Sequence, residues 1–186
     1  MDEELGEDGY PPGWPAPLRD LRRVVPIAQT VTVNGVVLMA LSLDDFPVGF
    51  TVRLRLLLGD GHPIVEEQRR REAEDRRQEA EAARRGALEA DDAEEEATFF
   101  ARFPVPELEL EARDDRGRQY RNWGGESSWG WSLELRAEPI FTPALDPAAW
   151  ELRLTVPEVQ WRTVAGREMG EIIAVDQGPW AFTVAL

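Results

Sequence analysis

Apolar residues recur at every second position in three stretches of this chain, 129–137, 150–156 and 180–186, with mostly polar or small residues between them. A period of two is typical of a β-strand with one buried face and one face in water. Repetition of this pattern in a chain of 186 residues predicts an all-β domain. We therefore expect an antiparallel immunoglobulin-like β-sandwich of about nine strands.

Turn signals support the same interpretation. Asn34-Gly35 lies between two β-branched runs, and Asn-Gly is a strong hairpin signal because both residues must take positive φ. In the stretch 50–56 the apolar side chains are predicted to face inward; they are Phe50, Val52, Leu54 and Leu56. The Gly-rich stretch 124–128 is predicted to be a loop, and 139–149 is predicted to cross between the two sheets.

Composition divides the chain into a tail, a body and an insertion. Residues 1–23 are acidic and Pro-rich, which predicts an extended or disordered tail. Residues 24–186 form the predicted sandwich domain, and 64–98 is predicted to be a charged helical insertion with its helix from Ile64 to Arg85. Acid-first i,i+4 pairs with arginine favour that helix. Because it has no apolar stripe, we expect it to be solvated.

Net charge and cysteine content exclude several function classes. The formal charge of −15 disfavours nucleic acids and anionic membranes, both of which require a basic face. The absence of cysteine excludes disulfides and thiolate chemistry. No apolar stretch is long enough to span a membrane. We expect a cytoplasmic protein if Met1 is the native start, and an extracytoplasmic one if a leader or anchor was removed.

Three segments together carry a resemblance to a known class of domain. They are the Asn34-Gly35 hairpin, the stretch 108–120 with its Asp114-Asp115-Arg116-Gly117 turn, and the ending Gly178-Pro179-Trp180-Ala181-Phe182-Thr183-Val184. They resemble immunoglobulin-like domains of unknown function in bacterial anti-sigma-factor-like and cell-surface proteins. The chain lacks the membrane helix and the sigma-binding region of those proteins. The resemblance therefore implies a fold and transfers no site.

Residues for catalysis and metal binding are sparse. His62 is the sole histidine, and its setting predicts an exposed turn rather than a member of a catalytic triad. Asp44-Asp45 and Asp114-Asp115 could supply oxygen ligands to Ca²⁺, although Asp pairs are also typical of β-turns. There is no phosphate-binding loop and no histidine-based metal spacing. We expect no catalytic residues, no cofactor and no metal.

The aromatic residues around the Gly-rich stretch form the predicted binding surface, which consists of Tyr120, Trp123, Glu126 and Trp129. Aromatic side chains beside a polar loop can accept a partner's apolar side chain or stack on a sugar ring. The first hypothesis is a non-catalytic module for protein–protein contact, with a protein partner or a second copy. The alternative is a carbohydrate-binding module that uses Trp123 and neighbouring aromatics. A carboxylate-dependent hydrolase ranks third.

Overall fold

The computed structural model describes residues 19–85, 104–129, 133–165 and 168–186. The predictions made for residues 1–18, for residues 130–132 of the alternating stretch 129–137 and for residues 86–98 of the insertion lie outside this part of the chain. The described residues form one helix and nine strands, in the following order. The elements are β1 (Arg23–Val33), β2 (Val36–Asp45), β3 (Phe50–Leu58), α1 (Pro63–Arg85), β4 (Val105–Leu108), β5 (Glu111–Asp114), β6 (Gln119–Trp129), β7 (Glu134–Thr142), β8 (Glu151–Ala165) and β9 (Glu168–Ala185).

The nine described strands form one antiparallel sheet that curls into a half-barrel. Its order is β1-β2-β3-β7-β6-β5-β8-β4, and β9 pairs with the other edge of β8. All-β architecture and antiparallel pairing are confirmed, whereas the immunoglobulin-like sandwich is not. The physical reason is that β7, β6, β5 and β8 pair in unbroken succession, so the sheet encloses its core by curvature. In the stretch 139–149, which was predicted to cross between sheets, residues 139–142 belong to β7 and the others lead to β8 of the same sheet.

The alternating side chains predicted to face inward form the core. In β3, the apolar residues at 50, 52, 54 and 56 are at most 2% exposed. In β9, Trp180, Phe182 and Val184 are equally buried. Asn34 and Gly35 both have positive φ, and Val33 pairs directly with Val36, which confirms the two-residue hairpin between β1 and β2.

Side chains close the gap between β1 and β9, where the curled sheet approaches itself. The Gln29 side-chain amide donates to the Thr183 carbonyl oxygen at 2.6 Å and accepts from the Thr183 N–H at 3.2 Å. The indole of Trp180 donates to the carbonyl oxygen of Val36 at 3.1 Å. The side chain of Gln29 thus forms the hydrogen bonds that a neighbouring strand would form at this seam. The hydrogen bond of Trp180 links the last strand to β2.

Helix α1 packs against the sheet through its first turns, as far as its described side chains extend. Ile64, Val65 and Gln68 are buried, whereas most of the later described side chains are exposed. A helix of 23 residues is about 35 Å long, so most of it projects from the sheet. The predicted solvated helix is therefore confirmed, except that its first turns are buried. Within the described residues, no helix has the length and apolar character needed to cross a membrane.

Candidate functional site

The hairpin formed by β5 and β6 opens shortly after its turn. Ala112 pairs with Tyr120, but beyond Tyr120 the only partner of β6 in the part of the chain that the structure describes is β7. Strand β4 continues the path of β5 along β8. Where the two strands part, the Asn122 side chain donates to the carbonyl oxygen of Leu110 at 3.0 Å and accepts from the Gly124 N–H at 2.8 Å. Asn122 thus takes the place of the backbone pairing that ends here.

The opening leaves a concave space that we call the β4–β6 cleft. Its two sides are β4 and residues 122–127 of β6, and it has a volume of about 240 Å³. Buried apolar residues of β7 and the half-exposed Met169 of β9 also line it; the β7 residues are Leu135, Ala137 and Pro139. Among the described residues, the strand edges that face each other across this space have no backbone partner.

Two adjacent glycines shape the β6 side of the cleft. Gly124 has a φ of 77°, which favours glycine. At Gly125, a Cβ atom would lie well inside 3.0 Å of the carbonyl oxygen of Glu138. The register of β6 against β7 shifts between Asn122 and Gly125. The stretch predicted to be a loop is therefore part of a strand with a β-bulge, and glycine is required because β6 and β7 approach closely.

Strand alternation decides which side chains meet a ligand in the cleft. Ser127 pairs with the buried Ala137, so its side chain lies on the inner face of the sheet. Glu126 pairs with the exposed Glu138 and lies on the outer face. Across the cleft, the exposed Glu107 forms an ion pair with Arg162. The cleft therefore has an apolar inner side and a carboxylate on the outer side of each edge.

Of the four residues in the predicted binding surface, Glu126 lines the cleft, and the three aromatic residues face elsewhere. Tyr120 is 5% exposed, so its side chain belongs to the core rather than to an open surface. Trp123 is half-buried, donates to the Thr142 hydroxyl at 2.8 Å, and has the Arg121 guanidinium 3.7 Å from its ring centroid. Trp129 is also half-buried, and its ring meets that of Trp161 edge to face at 5.8 Å.

The residues that sequence reasoning missed are Asn122, Glu107, Ser127 and Met169. A local signal existed for Asn122, because an Asn side chain often accepts the N–H of the residue two positions later, which here is Gly124. Glu107 and Met169 carry no such signal. They lie at least twelve residues from β6 in sequence, and only the pairing of β4 and β9 with β8 brings them to the cleft.

Tyr120 and Asp114 form a buried hydrogen-bonded pair below the hairpin turn. The Tyr120 hydroxyl donates to Asp114 Oδ2 at 2.8 Å, and Asp114 Oδ1 accepts the N–H groups of Arg116 and Arg118. Burial raises the pKa of Tyr120 to about 12; the Asp146 N–H opposes this and the Asp114 carboxylate reinforces it. Burial also acts to raise the pKa of Asp114, but hydrogen bonds from Arg118, Tyr120 and Arg116 lower it overall.

This pair predicts a specific pH dependence. A raised Tyr120 pKa stabilises the folded state fully below about pH 10, and that contribution is lost as the pH rises toward about 12. We expect Tyr120→Phe to lower the free energy of unfolding at pH 7 by about 1–3 kcal/mol, because Asp114 loses a buried donor. Urea unfolding at neutral and alkaline pH should show this difference narrowing at alkaline pH. An equal difference in unfolding free energy between the wild type and Tyr120→Phe at both pH values would contradict the raised pKa of Tyr120.

His62 is buried, so the predicted exposed turn is wrong. It is 5% exposed, its Nε2 lies 3.1 Å from Asp176 Oδ2, and its Nδ1 accepts the Ile64 N–H at 3.3 Å. Trp161 donates to the same Asp176 oxygen at 2.6 Å. His62 precedes Pro63 and accepts a helix N–H, as an N-cap residue does. Both ring nitrogens are engaged, so His62 helps to attach α1 to the sheet.

The two Asp pairs considered as Ca²⁺ sites have other partners. Asp44 forms an ion pair with Arg53 at 3.0 Å, and Asp45 forms one with Arg23 at 3.2 Å. Asp115 Oδ1 accepts the backbone N–H groups of Trp150 and Glu151, and the Asp114 oxygens accept the donors described above. Within the described ranges, no three histidine, aspartate or glutamate side chains are grouped as metal ligands.

Apolar side chains of β9 extend the surface beside the cleft. Met169, Ile172, Ile173 and Val175 are between 42% and 56% exposed. The register against β8 shifts at Ile173, where Trp161 pairs with Ala174 and Arg162 with Ile172. Among the described residues, this part of β9 pairs with β8 alone. Because Met169 also lines the cleft, the two surfaces adjoin.

Comparisons with known proteins support the fold and assign no family. No model of a protein family matches the chain. A search of curated proteins also finds no match. A solved structure described as the crystal structure of the conserved domain protein from Bacillus anthracis is similar, with a TM-score of 0.55 and 15% sequence identity. The similarity covers 88% of this chain and 48% of that protein, so this chain spans about half its length. At this identity the likeness concerns the fold alone.

Proposed function

We propose that this protein is a non-catalytic binding module that takes an extended segment of a partner protein into the β4–β6 cleft as an added strand. One observation carries the proposal: two strand edges face each other across the cleft without a backbone partner among the described residues. Such edges present rows of N–H and C=O groups that can pair with another chain. Strand addition is a common mode of peptide recognition.

The lining of the cleft supports a polypeptide ligand. Leu135 and Ala137 offer apolar contact on the inner side, where alternate side chains of an added strand would lie. A volume of about 240 Å³ is below the range of about 300–1,000 Å³ that is typical of pockets for small molecules. The space suits a few side chains of an extended segment better than an entire small ligand.

The aromatic residues favour this function over sugar binding. A stacking platform requires exposed ring faces, whereas Arg121 covers Trp123 and Tyr120 is buried. Hydrolysis by a carboxylate pair is also less well supported, because Glu107 is engaged with Arg162. His62 lies with Asp176 rather than in the cleft lining. Protein binding is therefore the function that the geometry supports best.

A peptide-display library tests the proposal. We expect the protein to select extended peptides with apolar residues at alternate positions. Ser127→Trp should abolish this binding, because it fills the inner side of the cleft. Ser128→Trp is the matched control, since Ser128 pairs with the exposed Arg136 on the outer face. Selection that is insensitive to Ser127→Trp, or the recovery of no peptides, would contradict the proposal.

A further inference from the structure

The outer side of the β4–β6 cleft contains a pair of like charges, of which only one has an arginine beside it among the described residues. Glu126 and Glu138 lie directly opposite each other on β6 and β7, an arrangement that destabilises a sheet. Arg53 approaches Glu138 at 3.6 Å. In the part of the chain that the structure describes, no arginine forms an ion pair with Glu126. Within the described ranges, the carboxylate of Glu126 therefore lies at the cleft edge without a paired arginine.

A strand inserted in the cleft would place its outward side chains beside these carboxylates. Glu126 would be its neighbour on β6, and Glu107, which is already paired with Arg162, would be its neighbour on β4. Opposite charges on adjacent strands are favourable, and like charges are unfavourable. The net charge of −15 acts in the same direction, since it attracts a basic partner over a longer range and repels an acidic one.

Building on the proposed function, we infer that the partner segment alternates apolar residues with lysine or arginine, with its basic side chains directed toward Glu126. This assigns the specificity of the cleft to charge on its outer face and to apolar contact on its inner face. A second copy of this chain fits poorly, because its acidic surface would meet the same carboxylates. The occupant is a basic, extended segment of another protein.

Two synthetic peptides test the inference by isothermal titration calorimetry. Both are short and carry valine at alternate positions; the positions between are lysine in one peptide and glutamate in the other. The wild-type protein should bind the lysine peptide about tenfold more tightly than the glutamate peptide. Glu126→Arg should remove or reverse that preference. Glu74→Arg, at an exposed position on α1, is the control with the same change in net charge, and it should retain the preference.

Each outcome bears on a distinct claim. Binding that Ser127→Trp abolishes, but that shows no preference for lysine or no response to Glu126→Arg, would overturn the inference and leave strand addition intact. Failure of both peptides to bind the wild-type protein would contradict the proposed function itself. A lysine preference that Glu74→Arg removes as fully as Glu126→Arg would show an effect of net charge alone, and would overturn the role of Glu126. Added salt should weaken binding of the lysine peptide more in the wild-type protein than in Glu126→Arg.

Discussion

Trp180→Ala is expected to lower the free energy of unfolding by about 3–5 kcal/mol, the cost of removing a large buried aromatic side chain. Trp180 is fully buried, and its indole donates to the Val36 carbonyl oxygen across the seam of the sheet. The substitution leaves a cavity and a carbonyl group without its donor. Since small domains are stable by only about 5–15 kcal/mol, much of the total stability should be lost. Urea unfolding followed by far-ultraviolet circular dichroism measures it.

Trp150→Ala provides a matched control within the same protein. Trp150 is 65% exposed. Its hydrogen bonds are formed by its backbone N–H and carbonyl oxygen and not by its side chain. Removing its side chain should change stability by less than about 0.5 kcal/mol, as is usual for exposed positions. Comparable losses in both variants would show that Trp180 does not hold β9 against the core, and the interpretation of the seam would be wrong.

The sequence predicted individual strands well because their burial alternates locally. The pattern at Phe50–Leu56 and at Trp180–Val184 identifies one buried face per strand, and the structure buries those faces. The same pattern does not say what covers the face, since a second sheet and the curvature of one sheet satisfy it equally. The choice between a sandwich and a curled sheet depends on pairings between distant strands. Local alternation therefore predicted the strands, but it could not predict that they pair into one curled sheet.

Trp150 shows that the alternation of apolar residues can wrongly predict burial at the end of a strand. It continues the apolar alternation of Leu152 and Leu154, yet β8 begins at Glu151 and Trp150 is exposed. The period-two rule applies only as far as the strand extends, and strand ends are poorly encoded. The start of β8 is determined by the neighbouring Asp115, because its carboxylate accepts the N–H groups of residues 150 and 151.

The candidate site was only partly predictable from sequence. Glu126 was predicted as a binding residue and lines the cleft. The aromatic residues beside it were more conspicuous in sequence, but their hydrogen bonds and ring contacts hold them against the protein. Glycine is disfavoured in strands, so Gly124-Gly125 indicated a loop. The close approach of β6 to the carbonyl of Glu138, which makes glycine necessary, is a tertiary contact without a local signature.

Gly125→Ala is expected to destabilise the protein by at least about 2 kcal/mol, because the added methyl group meets backbone rather than a movable side chain. The Cβ would collide with the Glu138 carbonyl oxygen and the adjoining Pro139 Cα. Relief requires β6 to move away from β7, toward the cleft that lies on its other side. We therefore expect two effects, a lower free energy of unfolding by urea denaturation and weaker binding of the lysine peptide under conditions where the variant remains folded.

Gly61→Ala separates these effects from a general cost of replacing glycine. Gly61 lies in a turn, and no atom lies within 4 Å of the position a Cβ would take. That variant should unfold within about 0.5 kcal/mol of the wild type and bind the peptide unchanged. If Gly125→Ala destabilises the protein but a folded sample binds the peptide normally, β6 does not form a wall of the binding site. The clash displaces β6 and deletes no side chain. The affinity of the variant for the lysine peptide therefore reports the position of that strand directly.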